Sequence, residues 1–395
     1  MPMSDQSVCT DPTSMIRQCR SAGKKGDLHQ VVKVADAFCE RIQGEKAMSK
    51  RRNNQMATVL GYKGFALAKQ GLYSEALDCL EQSKLHRDNL SSPIHQNDQR
   101  RSERKMVDAC LKTCYRRLGK APPLPKLVKY PRTTHLFDSG GTATTVDDLV
   151  LPDLDCIIPT FCDGKSTVIV EEKVDGANLG LSLCPFSGQI MVQNRSHYIT
   201  QGEHAQFSMI PVWIGEHREA LISVLGEGDL IVYGEWLAAR HSIPYQKLPG
   251  YFVAFDIYCK ATGKFFSRER FHSALQDTQI PAVPIIAART YHPSKSDGQT
   301  ADQFRKELLA LLETKSEFRL DGGTVEGIVL RIDGDNITQG NDSHSWLKHK
   351  FKIVRPDFVS GIGGHWSRRQ IEKQQVDFDF ANTYLDSCYP FSTKR

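Results

Sequence analysis

The stretch 168–181, VIVEEKVDGANLGL, carries Lys173 at the end of an apolar run and follows it with Asp175 and Gly176. A β-branched apolar run reads as a strand, which would hold the lysine at a fixed place. Gly176 permits a tight backbone path behind it. A lysine acts as a nucleophile only when neutral, so its pKa must fall from about 10.4 through nearby cations, a metal or desolvation. Taken alone, the same four residues also describe a surface lysine before a turn. Glu235 in LIVYGEWL and Glu326 in VEGIVLRI are acids set in otherwise apolar strands. Such carboxylates call for an ionic partner or a metal. With Asp175 they offer an oxygen-only set of the kind Mg²⁺ (or Mn²⁺) takes. Lys348, Lys350 and Lys352 recur at every second residue of SWLKHKFKIV, so on a strand they share a face. They would either present cations to a developing negative charge or blunt an exposed sheet edge. Phe255 in YFVAFDIY suits stacking or an apolar core. Arg195 in NRSHYI offers a guanidinium matched to a phosphate. Cys110 and Cys114, four apart on a helix, read as an apolar face in preference to a metal pair.

The elements that must position these residues fall into two parts. Residues 10–118 show apolar positions at spacings of three and four, as at Val31, Val32, Ala35 and Phe38, and predict an all-helical region. Within it, 57–89 resembles a tetratricopeptide repeat, with Gly64, Leu67, Gly71, Tyr73, Ala76 and Leu80 where that repeat needs small and packing residues. An earlier echo places Gly26, Leu28, Val31 and Ala35 in similar order, offset by 45 residues. The segment 119–132 holds four prolines, and 121–132 reads as a linker. Beyond it, strands are predicted at 167–172, 179–184, 189–194, 229–236, 251–258, 325–332 and 346–352. Helices are predicted near 216–225, 268–276 and 301–314. Strands outnumber helices without regular alternation, so this half is expected to be α+β and mainly antiparallel. The expected organisation is a basic helical domain at 1–120, a linker at 121–132, a catalytic domain at 133–360 and a tail at 361–395.

Composition bounds the rest. The 395 residues are 40% hydrophobic and 25% charged, which excludes a collagen, a coiled coil and a wholly disordered chain. No apolar run is long enough to span a membrane, and the N-terminus lacks the apolar stretch of a secretory signal. Eleven scattered cysteines without a CxxC pair suggest reduced thiols in an intracellular protein, cytoplasmic or nuclear. Residues 1–120 carry 22 Lys and Arg against 13 Asp and Glu, although the whole chain is only +5. That asymmetry suits a polyanion handle joined to a separate site, or simply a solvated helical surface.

Taken in order, KVDG at 173–176, Arg195, LIVYGEWL, YFVAFDIY, VEGIVLRI and SWLKHKFKIV resemble the motif series of the ATP-dependent RNA ligases in the covalent nucleotidyltransferase superfamily. The resemblance covers roughly 130–355 and implies an antiparallel-sheet nucleotidyltransferase fold. It implies that Lys173 attacks the α-phosphate of ATP to form a lysyl-AMP. It assigns phosphate contacts to Lys348 and Lys350, adenine stacking to Phe255, and the adenine edge to Glu172. Asn178 and Arg195 resemble residues that act on phosphates or the RNA end. Asp175, Glu235 and Glu326 would hold the metal, and Glu235 could instead contact the ribose. The short stretch after Lys350 is not expected to form an oligonucleotide-binding barrel, which counts against the resemblance extending to capping enzymes and common DNA ligases.

The expected function is the joining of 3′-OH and 5′-phosphate RNA ends through lysyl-AMP and adenylylated RNA. The helical domain would grip RNA phosphates or dock a protein partner. Two other readings stay open at this level: a nucleotidyltransferase with another acceptor such as DNA ends, and a helical adaptor with an inactive ligase-like module.

Overall fold

The computed structural model describes residues 11–42, 49–88, 98–141, 143–144, 148–200, 202–226, 228–294, 299–332, 349–358 and 371–392. The chain divides into two compact units. One comprises Met1–Pro125 with Cys184–Gln189, the other Lys126–Leu183 with Ile190–Arg395.

The first unit is built from helices Pro12–Lys25 (α1), Leu28–Ile42 (α2), Lys50–Lys69 (α3), Tyr73–Asp88 (α4) and Asp98–Leu118 (α5). Asp11 starts α1 by accepting the Ser14 N–H at 2.8 Å, and Pro12 occupies the first turn, where no N–H is needed. Gly26 (φ 74°) turns the chain from α1 into α2, and Gly71 (φ 84°) does the same between α3 and α4. The sequence echo therefore corresponds to two hairpins, each turned on a left-handed glycine. Close approach of α3 and α4 depends on Gly64, where a Cβ would lie 2.5 Å from Leu80 Cγ. Val31, Val34, Ala35 and Phe38 pack with Val59, Tyr62 and Ala66 in a buried core. Cys114 is buried and Cys110 half-buried, and burial raises both thiols, as an apolar role requires.

The second unit holds two five-stranded sheets among the described residues. Its strands are Thr134–His135 (β1), Thr167–Lys173 (β2), Ala177–Leu183 (β3), Ile190–Gln193 (β4), Leu230–Trp236 (β5), Phe252–Cys259 (β6), Lys264–Phe265 (β7), Ile285–Thr290 (β8), Gly327–Ile332 (β9) and Lys350–Val354 (β10). One sheet runs β1-β10-β9-β2-β8, the other β4-β3-β5-β6-β7. Every neighbouring pair is antiparallel except β1 with β10. The fold is thus α+β and antiparallel-rich, as the pattern predicted. The sequence pattern missed β8, an edge strand whose Ile285, Ile286, Ala287 and Ala288 show no alternation. Part of the strand predicted at 346–352 lies outside the described residues, and β10 begins at Lys350.

Among the described residues, six α-helices complete the unit: Ile158–Phe161 (α6), Ile210–Glu216 (α7), Arg218–Leu225 (α8), Arg268–Leu275 (α9), Gln299–Leu311 (α10) and Phe378–Ser387 (α11). The helix predicted at 216–225 is α8, preceded by a separate α7, and the two meet at His217. In α10, Phe304 and Leu308 are buried as their spacing predicted. Asp377 caps α11 by accepting the Phe380 N–H, and Tyr384 donates its hydroxyl to Ala282 O at 2.7 Å. The C-terminal segment is thereby packed into the core around β5 and β6.

Candidate active site

The KVDG sequence lies where the chain leaves one sheet for the other. Lys173 is the last residue of β2, and Ala177 opens β3. The crossing is tight, because a Cβ on Gly176 would lie 2.6 Å from both Trp236 O and Leu237 Cδ2. Register does the rest. Lys173 pairs with Gly327 on β9, which brings the preceding Glu326 alongside. Asn178 on β3 pairs with Glu235 on β5. The lysine amine makes an ion pair with Glu326, whose other oxygen, Oε2, is buried and has no hydrogen-bond partner among the described residues. Lys173, Asn178 and Glu235 border a cleft of about 1100 Å³, whose lining does not include Asp175 or Glu326. Its lining includes Glu172, Lys173, Asn178, Arg195, Glu235, Phe255 and Lys350 of the predicted site residues. Lys348 lies outside the described residues.

Electrostatics here differ from the expectation of a neutral lysine. Burial pulls the Lys173 pKa down, but Glu326, Glu235 and Asp175 more than reverse this and hold it above the usual value. Without nucleotide, the amine is an ammonium stabilised by acids. Burial raises Glu326 to about 7 and Glu235 to about 8, in spite of the neighbouring Lys173. Glu172 also rises to about 8 through burial, although Ser316 donates its hydroxyl to Glu172 Oε1 at 2.6 Å. Its backbone N–H is spent on Pro284 O at 2.9 Å.

The expected metal set is brought together only in part. Asp175 turns Oδ2 to the Ser242 and Ile243 N–H groups, at 2.7 and 2.9 Å, and so anchors that loop. No group of three His, Cys, Asp or Glu among the described residues is placed to hold an ion. Glu235 and the unpaired Glu326 Oε2 remain as oxygen donors beside the lysine. Two carboxylates fit a Mg²⁺ or Mn²⁺ ion that keeps waters and takes further oxygens from a phosphate.

Below the cleft lies an ionic network that sequence reading did not anticipate. Asp256 on β6 is fully buried and accepts from Arg268 Nη2 (2.7 Å), Arg331 Nη1 (2.8 Å), Lys350 Nζ (2.6 Å) and the Tyr130 hydroxyl (2.5 Å). Glu171 on β2 pairs with Arg268 Nη1 at 2.8 Å and lies 3.1 Å from Arg331 Nε. The network joins the two sheets through β2, β6, β9 and β10. Asp256 and Arg331 had the same signal that singled out Glu235 and Glu326, a lone charge inside an apolar strand. Tyr130 was not singled out, since it falls in the stretch read as linker and at the very start of the resemblance, yet it is buried against Tyr233, Phe255 and Phe265. Lys352 extends the Lys350 face and reaches Asp148 at 3.2 Å. Because β10 lies between β1 and β9, these lysines do not blunt a sheet edge.

Comparison with known proteins follows this geometry. Residues 166–350 match the family model described as RNA ligase. No curated protein matches. A solved Naegleria gruberi RNA ligase mutant with ATP and Mn is similar at 17% identity and a TM-score of 0.38, over 62% of this chain and 65% of that one. The same ligase with PPi matches at 17% identity and TM-score 0.38, over 62% and 66%. An archaeal ATP-dependent RNA ligase matches at 18% identity and TM-score 0.34, over 58% of this chain and 48% of that chain. The chain therefore spans just under two thirds of the Naegleria ligase chains.

Proposed function

We propose that this chain, whose residues 166–350 match the RNA ligase family model, is an ATP-dependent RNA ligase that joins 3′-OH and 5′-phosphate ends. The observation that carries the reading is Lys173 at a strand end, ion-paired to Glu326, in a cleft that also presents Phe255 and Lys350. In the first step the Lys173 lone pair forms a bond to the α-phosphorus of ATP. The bond from that phosphorus to the bridging oxygen of the β-phosphate breaks, and pyrophosphate leaves. The amine loses a proton, leaving AMP on the lysine through a P–N bond.

Before this step the ammonium must give up its proton, and Glu326 is the paired carboxylate beside it. Glu235 and Glu326 would hold the divalent ion, whose charge, when bound, stabilises phosphate oxygens and favours the neutral amine. Lys350, in its protonated form, supplies a cation at the cleft floor for the negative charge that builds on the α-phosphate. Phe255 offers a ring face for adenine. Asn178 and Arg195 line the same cleft, with Arg195 exposed and suited to the phosphate of an incoming RNA end. AMP would pass to the RNA 5′-phosphate, and attack by the 3′-OH would release it and seal the ends.

Intact-protein mass after incubation with ATP and Mg²⁺ tests the reading. The wild-type chain should gain one AMP, and Lys173→Ala should not. The same variant should still join RNA that is already adenylylated. A wild-type chain that stays unmodified overturns the proposal, and joining of DNA ends in preference to RNA replaces its acceptor.

A further inference from the structure

Tyr130 lies outside the segment that matches the RNA ligase family, yet its hydroxyl is built into the charged floor of the cleft. The hydroxyl donates to Asp256 Oδ2 at 2.5 Å and accepts from Lys350 Nζ at 2.6 Å. The lysine amine also donates to Asp256 Oδ2 at 2.6 Å, which closes a three-membered ring of hydrogen bonds. The Tyr130 ring stands edge-on to Phe255, centroid to centroid 5.0 Å, and the Lys350 amine is 5.6 Å from the Phe255 centroid. One side chain thus braces both the cation and the aromatic ring assigned above to the nucleotide.

We infer that Tyr130 is a positioning residue for nucleotide transfer: it fixes the Lys350 ammonium and the Phe255 ring at the cleft floor, so that phosphate and base are met by groups already in place. This inference rests on the proposed ligase reading. The hydroxyl matters because Lys350 is buried, and burial works against its charge. Burial and the Arg331 guanidinium push its pKa down to about 7, against the pull of Asp256 and Glu171. The charged groups facing it are Asp256 from β6, Arg331 from β9, Glu171 from β2 and Arg268 from α9. Asp256 is shared among all three cations, so a neutral acceptor from another part of the chain adds a contact that is stronger with the ammonium than with the neutral amine.

Tyr130→Phe keeps the ring and deletes the hydroxyl. ATP affinity and the rate of self-adenylylation at saturating ATP should be measured across pH for wild type, Tyr130→Phe, Lys350→Ala and the double variant. Removal of a hydrogen bond to a charged group should slow adenylylation by about ten-fold at pH 8. The loss should shrink at lower pH, because the alkaline limb moves down by about one pH unit when the ammonium form loses an acceptor. In the Lys350→Ala background the same tyrosine substitution should add no further loss in ATP affinity or rate.

Equal rates for Tyr130→Phe and wild type at every pH overturn the inference. So does an equal loss in the Lys350→Ala background, or a loss that does not vary with pH, either of which marks a packing role only. If wild type itself forms no AMP adduct, the ligase reading fails first, and the two failures are told apart in the same experiment.

Discussion

At Lys173, burial and pairing act in opposite directions, and pairing wins. The KVDG sequence showed where a nucleophile could stand but not its charge, because that depends on Glu326, which comes from 153 residues further along the chain. Removing this partner should free the amine. Glu326→Gln is expected to raise acylation of Lys173 by an amine-reactive probe at pH 8, read by peptide mass, while it lowers AMP transfer; unchanged labelling would show that Glu326 does not hold the proton. The acids around the lysine also set a pH dependence. Glu172, Glu235 and Glu326 have folded pKa values of about 8, 8 and 7 against an ordinary 4.5. Their raised values contribute stability that is complete below about 4.5 and lost as pH rises through 7 to 8. Lys350 acts in the opposite sense, but only between about 7 and its ordinary 10.5. Burial lowers His135 and His272 to about 4 and 3, and these oppose the acids below about pH 6.5, so melting of the metal-free protein should shift to lower temperature mainly between about pH 6.5 and pH 8. Mg²⁺ with ATP should restore more stability at pH 8 than at pH 6, since the ion favours the ionised acids.

At the scale of elements, strands with clean alternation were legible, and so were the helical hairpins of the first unit. Leu179 and Leu181 on β3 point into the core as their spacing required. β8 escaped because an edge strand need not alternate when much of it faces solvent. Two glycines carry structural consequences at this level. Gly176→Ala would drive a Cβ against the Trp236 carbonyl oxygen, an atom of a paired strand that cannot turn aside. A cost of about 1–3 kcal/mol in denaturant unfolding is expected, with a loss of AMP transfer because Lys173 moves with the crossing. Gly64→Ala would press on Leu80 between α3 and α4. It should destabilise the helical unit by a similar amount, about 1–3 kcal/mol, while AMP transfer by the folded protein stays intact. Equal damage to AMP transfer by both variants would contradict this separation.

For the whole molecule, the charge asymmetry between residues 1–120 and the rest of the chain is the feature to test. We propose that the helical unit meets RNA phosphates, with exposed Lys112, Arg116 and Arg117 of α5 among the contacts. Changing these three to Gln in the full chain should reduce the slope of log affinity for RNA against log salt by up to about 3 and leave self-adenylylation unchanged. An unaltered slope would leave the unit to a protein partner. By itself the sequence determined the helical character of the first part and the antiparallel, strand-rich character of the second, the strand that carries Lys173, and the order of the acids, lysines and aromatic residues along the chain, because these follow from local spacing and residue type. Tertiary structure alone decided that Asp175 anchors a loop, that Lys173 is held charged, and that Tyr130 and Asp256 brace Lys350. Those outcomes depend on register between strands far apart in the chain and on the field of groups buried together, and neither is written in any local stretch.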